Sequence, residues 1–134
     1  MLAPDRPEVI AILDWELSTL GHPLADLAYY CLPYYLPSDL EGMRGLQGED
    51  LEALGIPDEQ ETIARYCRQT GRDGIADWHV FLAFSLFRLA SILQGVYKRA
   101  LDGNAANADA LEVGRRASLL ADVGWRIASE GPSS

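Results

Sequence analysis

The sequence predicts a mainly α-helical fold entered through a short β-hairpin. Three observations predict it. Apolar residues recur at intervals of three and four in most of the chain, the spacing that gives a helix one apolar face. The candidate helices open on Pro23, Asp58 and Asp77 and close near Gly71 and Gly103, residue types suited to helix starts and ends. Only one run, Val9-Ile10-Ala11-Ile12-Leu13, has the composition of a short buried strand.

The elements follow in order. Residues 9–13 form a strand that needs a partner for its backbone groups. Met1 to Ala3 are the candidate, with Pro4-Asp5-Arg6-Pro7 as the turn. Residues 1–14 are thus a hairpin remnant. A helix begins at Pro23, with Leu24, Leu27, Ala28 and Cys31 on one face, and Pro33 ends or bends it. The helical stretch spans 23–36. Residues 37–57, with Pro37, Gly42, Gly45, Gly48, Gly55 and Pro57, read as irregular chain with one helical turn at Asp50 to Leu54. Residues 58–130 read as a helical bundle.

Within that bundle, acids in the Asp58-Glu59-Gln60-Glu61 turn complement a helix dipole. Ile63, Tyr66 and Cys67 give an inner face, and Gly71 is the C-cap. Asp77 caps a long helix to Leu101 that is apolar on most sides, as a helix enclosed by others would be. A last helix from about Asp109 to Ser129 packs through Val113, Ala117, Leu120, Ala121, Gly124, Trp125 and Ala128.

Composition bounds the function. The 134 residues are 49% hydrophobic and 23% charged, with a formal net charge of −9. This is one globular domain or part of one. The acidic balance disfavours sequence-independent nucleic-acid binding and docking on acidic lipid. Val80 to Leu93, broken by Ser85, Arg88 and Ser91, reads as too short and too polar to span a bilayer. Cys31 and Cys67 read as buried free thiols, and with only His22 and His79 as imidazoles a structural zinc site is not expected. The expected location is cytoplasmic. No glycine-rich nucleotide loop or nucleophile elbow is present.

Asp14 is the residue of greatest chemical interest. A carboxylate at the end of a buried strand suits magnesium, which prefers hard oxygens at fixed positions. It could equally be a strand-ending turn residue. Glu16 is a second oxygen donor or a solvated side chain, and Trp15 is expected to pack. Asp26, between Leu24 and Leu27, either accepts backbone N–H groups as an organiser or simply favours the helix dipole from solvent. His22 caps weakly, and His79 is structural. Arg88 either pairs with Asp14, Glu16 or Asp26, the preferred reading, or faces an anion-binding cleft. Gln94 and Tyr97 on the same flank could line a pocket with it.

These residues carry a resemblance. Val9-Ile10-Ala11-Ile12-Leu13-Asp14-Trp15-Glu16 and Gly21-His22-Pro23-Leu24-Ala25-Asp26-Leu27-Ala28 resemble the second signature block of the aminoglycoside phosphotransferase-like superfamily. Phe81-Leu82-Ala83-Phe84, Phe87-Arg88-Leu89-Ala90, Ile92-Leu93-Gln94-Gly95-Val96-Tyr97 and Ala108-Asp109-Ala110-Leu111-Glu112 resemble the branch related to the kinase-like domain of acyl-CoA dehydrogenase fusion proteins. The resemblance implies the helical C-lobe of a protein-kinase-like fold. It implies a metal-binding role for Asp14, a buttressing role for Asp26, and an acceptor pocket among the later helices that would include Arg88, Gln94 and Tyr97. It also implies ATP and magnesium as cofactors of the parent enzyme, with a small-molecule hydroxyl as acceptor.

The family's N-terminal lobe and its His-Gly-Asp catalytic loop have no counterpart here. The chain is therefore expected to be a single partial domain over 1–134, truncated and inert alone. It would bind neither cofactor tightly, and would pair with an N-terminal lobe or with itself. The alternative is a helical binding or assembly module.

Overall fold

The computed structural model describes residues 1–18, 20–40, 42–104 and 110–131. Five α-helices are present among them: α1 (Pro23–Cys31), α2 (Leu51–Leu54), α3 (Glu59–Thr70), α4 (Trp78–Leu101) and α5 (Ala110–Glu130). The mainly helical expectation holds. The expected start of the last helix, Asp109, lies outside the described residues.

The N-terminal strand does not form. Among the described residues no β-strand appears; the N-terminal segment holds an isolated antiparallel bridge between Leu2 and Val9, and an isolated parallel bridge joins Pro37 and Gln47. Ala3 N–H donates to Glu8 O at 2.8 Å and Ile10 N–H to Met1 O at 3.1 Å. Val9, Ile10, Ile12 and Leu13 are exposed rather than buried, and so is Trp15. The physical reason is that no described element lies over them. Two short bonded backbones leave apolar side chains in water unless a third layer covers one face.

From Pro23 on, local chemistry and structure agree. His22 is the N-cap of α1, its Nδ1 accepting from Leu24 N–H at 3.3 Å. Its ring stacks on Phe81 with centroids 4.9 Å apart. Pro33 tightens the chain into a 3-10 turn over Leu32–Tyr35 instead of ending it in a loop. The following stretch folds back on that turn. Leu46 N–H donates to Pro33 O at 2.7 Å and Gln47 N–H to Leu36 O at 3.0 Å. Gly45 is required there, because a Cβ would lie 1.9 Å from Leu36 O. Leu36, which this stretch packs against, is buried in the core.

Asp50 and Asp58 cap α2 and α3 by accepting from Ala53 and Glu61 N–H, and Gly71 closes α3 in the left-handed region. Asp77 precedes α4 as expected, but it makes no side-chain cap and takes a left-handed backbone, φ 54°.

The core lies where α4 meets α1 and α5. Ala28, Cys31, Leu32 and Leu36 face Leu82, Leu86, Ala90 and Leu93, which face Ala117, Leu120 and Val123. Buried Ser85 donates to Ala25 O at 3.3 Å. The α4–α5 crossing is close: a Cβ on Gly114 would stand 2.2 Å from Tyr97 Cβ.

Two expectations fail at these helices. On α5 the expected Ala117, Leu120 and Gly124 are buried, but Ala121, Trp125 and Ala128 are exposed and Val123 is buried in their place. α4 is not enclosed, since Val80, Phe84, Phe87 and Ile92 are exposed. Its 24 residues also exceed the Val80–Leu93 stretch judged too short and too polar to span a bilayer. By length and composition alone, α4 passes as a membrane span.

Candidate functional site

Asp14 sits at the exit of the uncovered segment, as N-cap of a 3-10 turn over Trp15–Leu17. Its backbone is left-handed, with φ 70° and ψ 47°. Asp tolerates that region better than most residues, but it remains sparsely populated and is found disproportionately where side-chain aim matters. The turn is braced by Trp15, whose Nε1 donates to Ile12 O at 2.8 Å, and by Ser18, whose Oγ donates to Trp15 O at 2.7 Å. Trp15 therefore braces a turn instead of packing into the core. Asp14 and Glu16 are both exposed.

Asp26 is exposed on the first turn of α1, and among the described residues no hydrogen bond or ion pair engages its carboxylate. This is its dipole-complementing alternative. The organiser reading needs backbone donors, and no described element brings them to Asp26. Arg88 and Asp26 do line one groove, about 410 Å³, with His22, Ala25, Phe81 and Phe84. The preferred pairing of Arg88 with Asp14, Glu16 or Asp26 is absent. Its guanidinium instead lies over the Tyr29 ring, Cζ 4.7 Å from the centroid. Such a contact is worth about 0.5–1 kcal/mol at exposed sites.

The three residues expected to share a pocket are separated. Gln94 is exposed, and Tyr97 packs against Gly114 at the α4–α5 crossing. Neither lines the groove that holds Arg88. Helical geometry explains this, because six and nine residues along α4 turn Gln94 and Tyr97 well away from Arg88.

One polar cluster has no counterpart in the sequence reading. Glu59, read only as a dipole-favoured acid, accepts from Tyr35 Oη at 2.7 Å and from Trp78 Nε1 at 3.0 Å. Tyr34 Oη donates to Pro57 O at 2.7 Å. Burial and the Glu59 charge push the Cys31 thiol up to about 12, and burial with the Glu59 bond pushes the Tyr35 hydroxyl well up too. These contacts link residues 19 to 24 positions apart, so no local motif announces them. His79 Nδ1 is buried nearby without a hydrogen-bond partner.

Magnesium that arrives with ATP takes only one or two carboxylates from the protein. Asp14, exposed and unengaged, fits that share. Among the described residues no group of three or more His, Cys, Asp or Glu is placed to hold a metal by itself.

The fold is that of the aminoglycoside-phosphotransferase, kinase-like class, in its helical lobe. A crystal structure of a candidate aminoglycoside phosphotransferase from Ralstonia eutropha superimposes with a TM-score of 0.89 at 47% identity, over 99% of this chain and 40% of that one. The chain is also homologous to part of the acyl-CoA dehydrogenase family members. It is 48% identical to mouse acyl-CoA dehydrogenase family member 10 over 127 residues, 95% of this chain and 12% of the relative. It is 43% identical to human acyl-CoA dehydrogenase family member 11 over 125 residues, 92% of this chain and 16% of the relative. No family model matches the chain.

Proposed function

We propose that this chain is the helical part of an ATP- and magnesium-dependent phosphotransferase that phosphorylates a small-molecule hydroxyl. The observation that carries the reading is Asp14, held left-handed and exposed on a fold that matches a phosphotransferase-class structure. The names of the curated relatives favour an acyl-CoA-derived acceptor, a hydroxyacyl-CoA, over an aminoglycoside.

In this reading residues 1–134 are one partial domain, and Met1 to Asp14 complete their hairpin when the rest of the domain covers them. Asp14 supplies a carboxylate oxygen to magnesium, and the ion, when bound, offsets charge on the phosphates of ATP. Glu16 lies in the same 3-10 turn as a further oxygen. Arg88 and Asp26 form the polar edge of the groove beside α1, where Arg88 attracts an anionic part of the acceptor. No described residue is placed as base or phosphate clamp. Since phosphoryl transfer depends on base, metal and phosphate grip acting together, the chain is inert alone. Its compartment is the cytoplasm, where two free thiols persist.

The test is incubation with magnesium-ATP and a panel of hydroxyacyl-CoA compounds. The 134-residue chain should give no phosphorylated product. The same chain grafted into the Ralstonia protein in place of the matched region should turn over, and Asp14→Ala should abolish turnover. Turnover that survives Asp14→Ala rejects the metal role. A helical assembly module is the second reading, favoured by the exposed apolar side chains of α4.

A further inference from the structure

Arg88 carries a charge that no described carboxylate neutralises. Among the described residues no hydrogen bond or ion pair engages its guanidinium, which leaves the N–H donors to the groove that it lines with His22, Asp26 and Phe84. Its contact is with Tyr29 of α1, the ring centroid lying 4.7 Å from Cζ. A guanidinium laid on an aromatic face keeps its edge N–H groups free. Tyr29 is 37% exposed and does not line the groove, so it reaches an occupant only through Arg88. The two side chains stand on α1 and α4, helices that share the core, and a contact between rigid elements holds its geometry.

We infer that Tyr29 is a positioning residue, which holds the Arg88 guanidinium at the groove with its charge intact so that Arg88 binds a phosphate of an acyl-CoA acceptor. The inference rests on the proposed function for the identity of the occupant, and adds the residue that sets its anion subsite. An arginine free in solvent loses rotamer freedom when it grips a ligand, and one already laid on a ring has less to lose. A carboxylate could restrain it too, and Asp26 lines the same groove, but an ion pair cancels the charge that an anion needs. The ring restrains the guanidinium through its quadrupole and cancels nothing. The donors suit a phosphate, because the guanidinium edge presents paired N–H groups to two oxygens at once. A local cation matters all the more in a chain of net charge −9, whose field repels an anion at range.

Calorimetric titration of the 134-residue chain with coenzyme A tests it, with pantetheine, which lacks the phosphates, as the second probe. Coenzyme A should bind, and pantetheine about tenfold or more weakly. Arg88→Gln should weaken coenzyme A binding about tenfold or more. Tyr29→Leu should weaken it about two- to fivefold, the scale of an exposed cation–π contact. Tyr29→Phe keeps the ring and should bind within about twofold of the unsubstituted chain. The double variant decides the matter: in an Arg88→Gln background, Tyr29→Leu should weaken binding no further. A Tyr29 that merely supports the fold would weaken binding in both backgrounds, and that result overturns the inference. So does an unsubstituted chain that fails to bind coenzyme A, or that binds pantetheine equally well. So does a Tyr29→Leu chain that binds coenzyme A undiminished. Coenzyme A binding that depends on Tyr29 through Arg88, alongside a Ralstonia graft that transfers no phosphate, leaves the inference standing and rejects the proposed function instead. Turnover by the graft with binding indifferent to Tyr29 does the reverse.

Discussion

The Asp14 and Asp26 carboxylates are alike in the structure in one respect: each is exposed and, among the described residues, unengaged. Asp14→Asn and Asp26→Asn should each change stability by no more than about 0.5 kcal/mol. Urea melts check this, and a shift several times larger for Asp26 would restore it as a buried organiser. Cys31 behaves differently. Its pKa is raised from 9.0 to about 12 by burial and by Glu59. Below pH 9 both folded and unfolded chains hold the proton, and stability is unaffected. Above pH 9 the unfolded chain releases it while the folded chain does not, so stability falls from there toward pH 12. Melting temperature against pH should decline on this alkaline limb, and Cys31→Ala should decline less steeply. Identical slopes would place the alkaline titration in other groups. The sequence marked Cys31 as a buried thiol because its neighbours are apolar. It could not mark Glu59, whose partners Tyr35 and Trp78 come from distant positions.

At the scale of elements, caps and spacing carried most of what was readable. Asp50, Asp58, Gly71 and Pro23 each stand at a helix end as local chemistry dictates. Faces were less legible than boundaries. α5 has apolar side chains around much of its circumference, and the spacing placed Trp125 on the packed face with Ala117, Leu120 and Gly124. The structure puts Val123 inward and Trp125 outward, because close approach to α4 is made through the small residues Gly114 and Gly124. Those glycines give a test. Gly114→Ala would place its Cβ 2.2 Å from Tyr97 Cβ, while on Gly124 it would meet Leu86 Cβ at 3.2 Å. Overpacking costs about 1–3 kcal/mol, so Gly114→Ala should fall at the upper end of that range and Gly124→Ala near the lower. Equal effects, measured by urea midpoint at constant slope, would mean that α5 shifts freely along α4.

At the scale of the whole molecule, the chain divides by burial. α1, the 3-10 turn after it, α4 and α5 supply every residue of the core cluster from Ala28 to Val123 except Leu36, which directly follows the turn. The described residues between Met1 and Leu20 supply none. That segment is held by a few backbone bonds and by surface pairs such as Arg6 with Asp5 and Glu8, which contribute roughly 0–1 kcal/mol each. Its apolar composition suggested a buried strand because composition reports what a segment can bury and not whether a cover is present. Deleting residues 1–20 should therefore leave helix content unchanged and lower the melting temperature by about 5 °C or less. The same deletion removes Asp14 and should abolish turnover wherever the larger assembly is active. Chymotrypsin should cut after Trp15 well before it cuts within α4 at Phe87, although both side chains are exposed, because lightly bonded backbone opens at little cost. Loss of cooperative melting on deletion would show that the segment supports the core through contacts that its exposed side chains do not reveal.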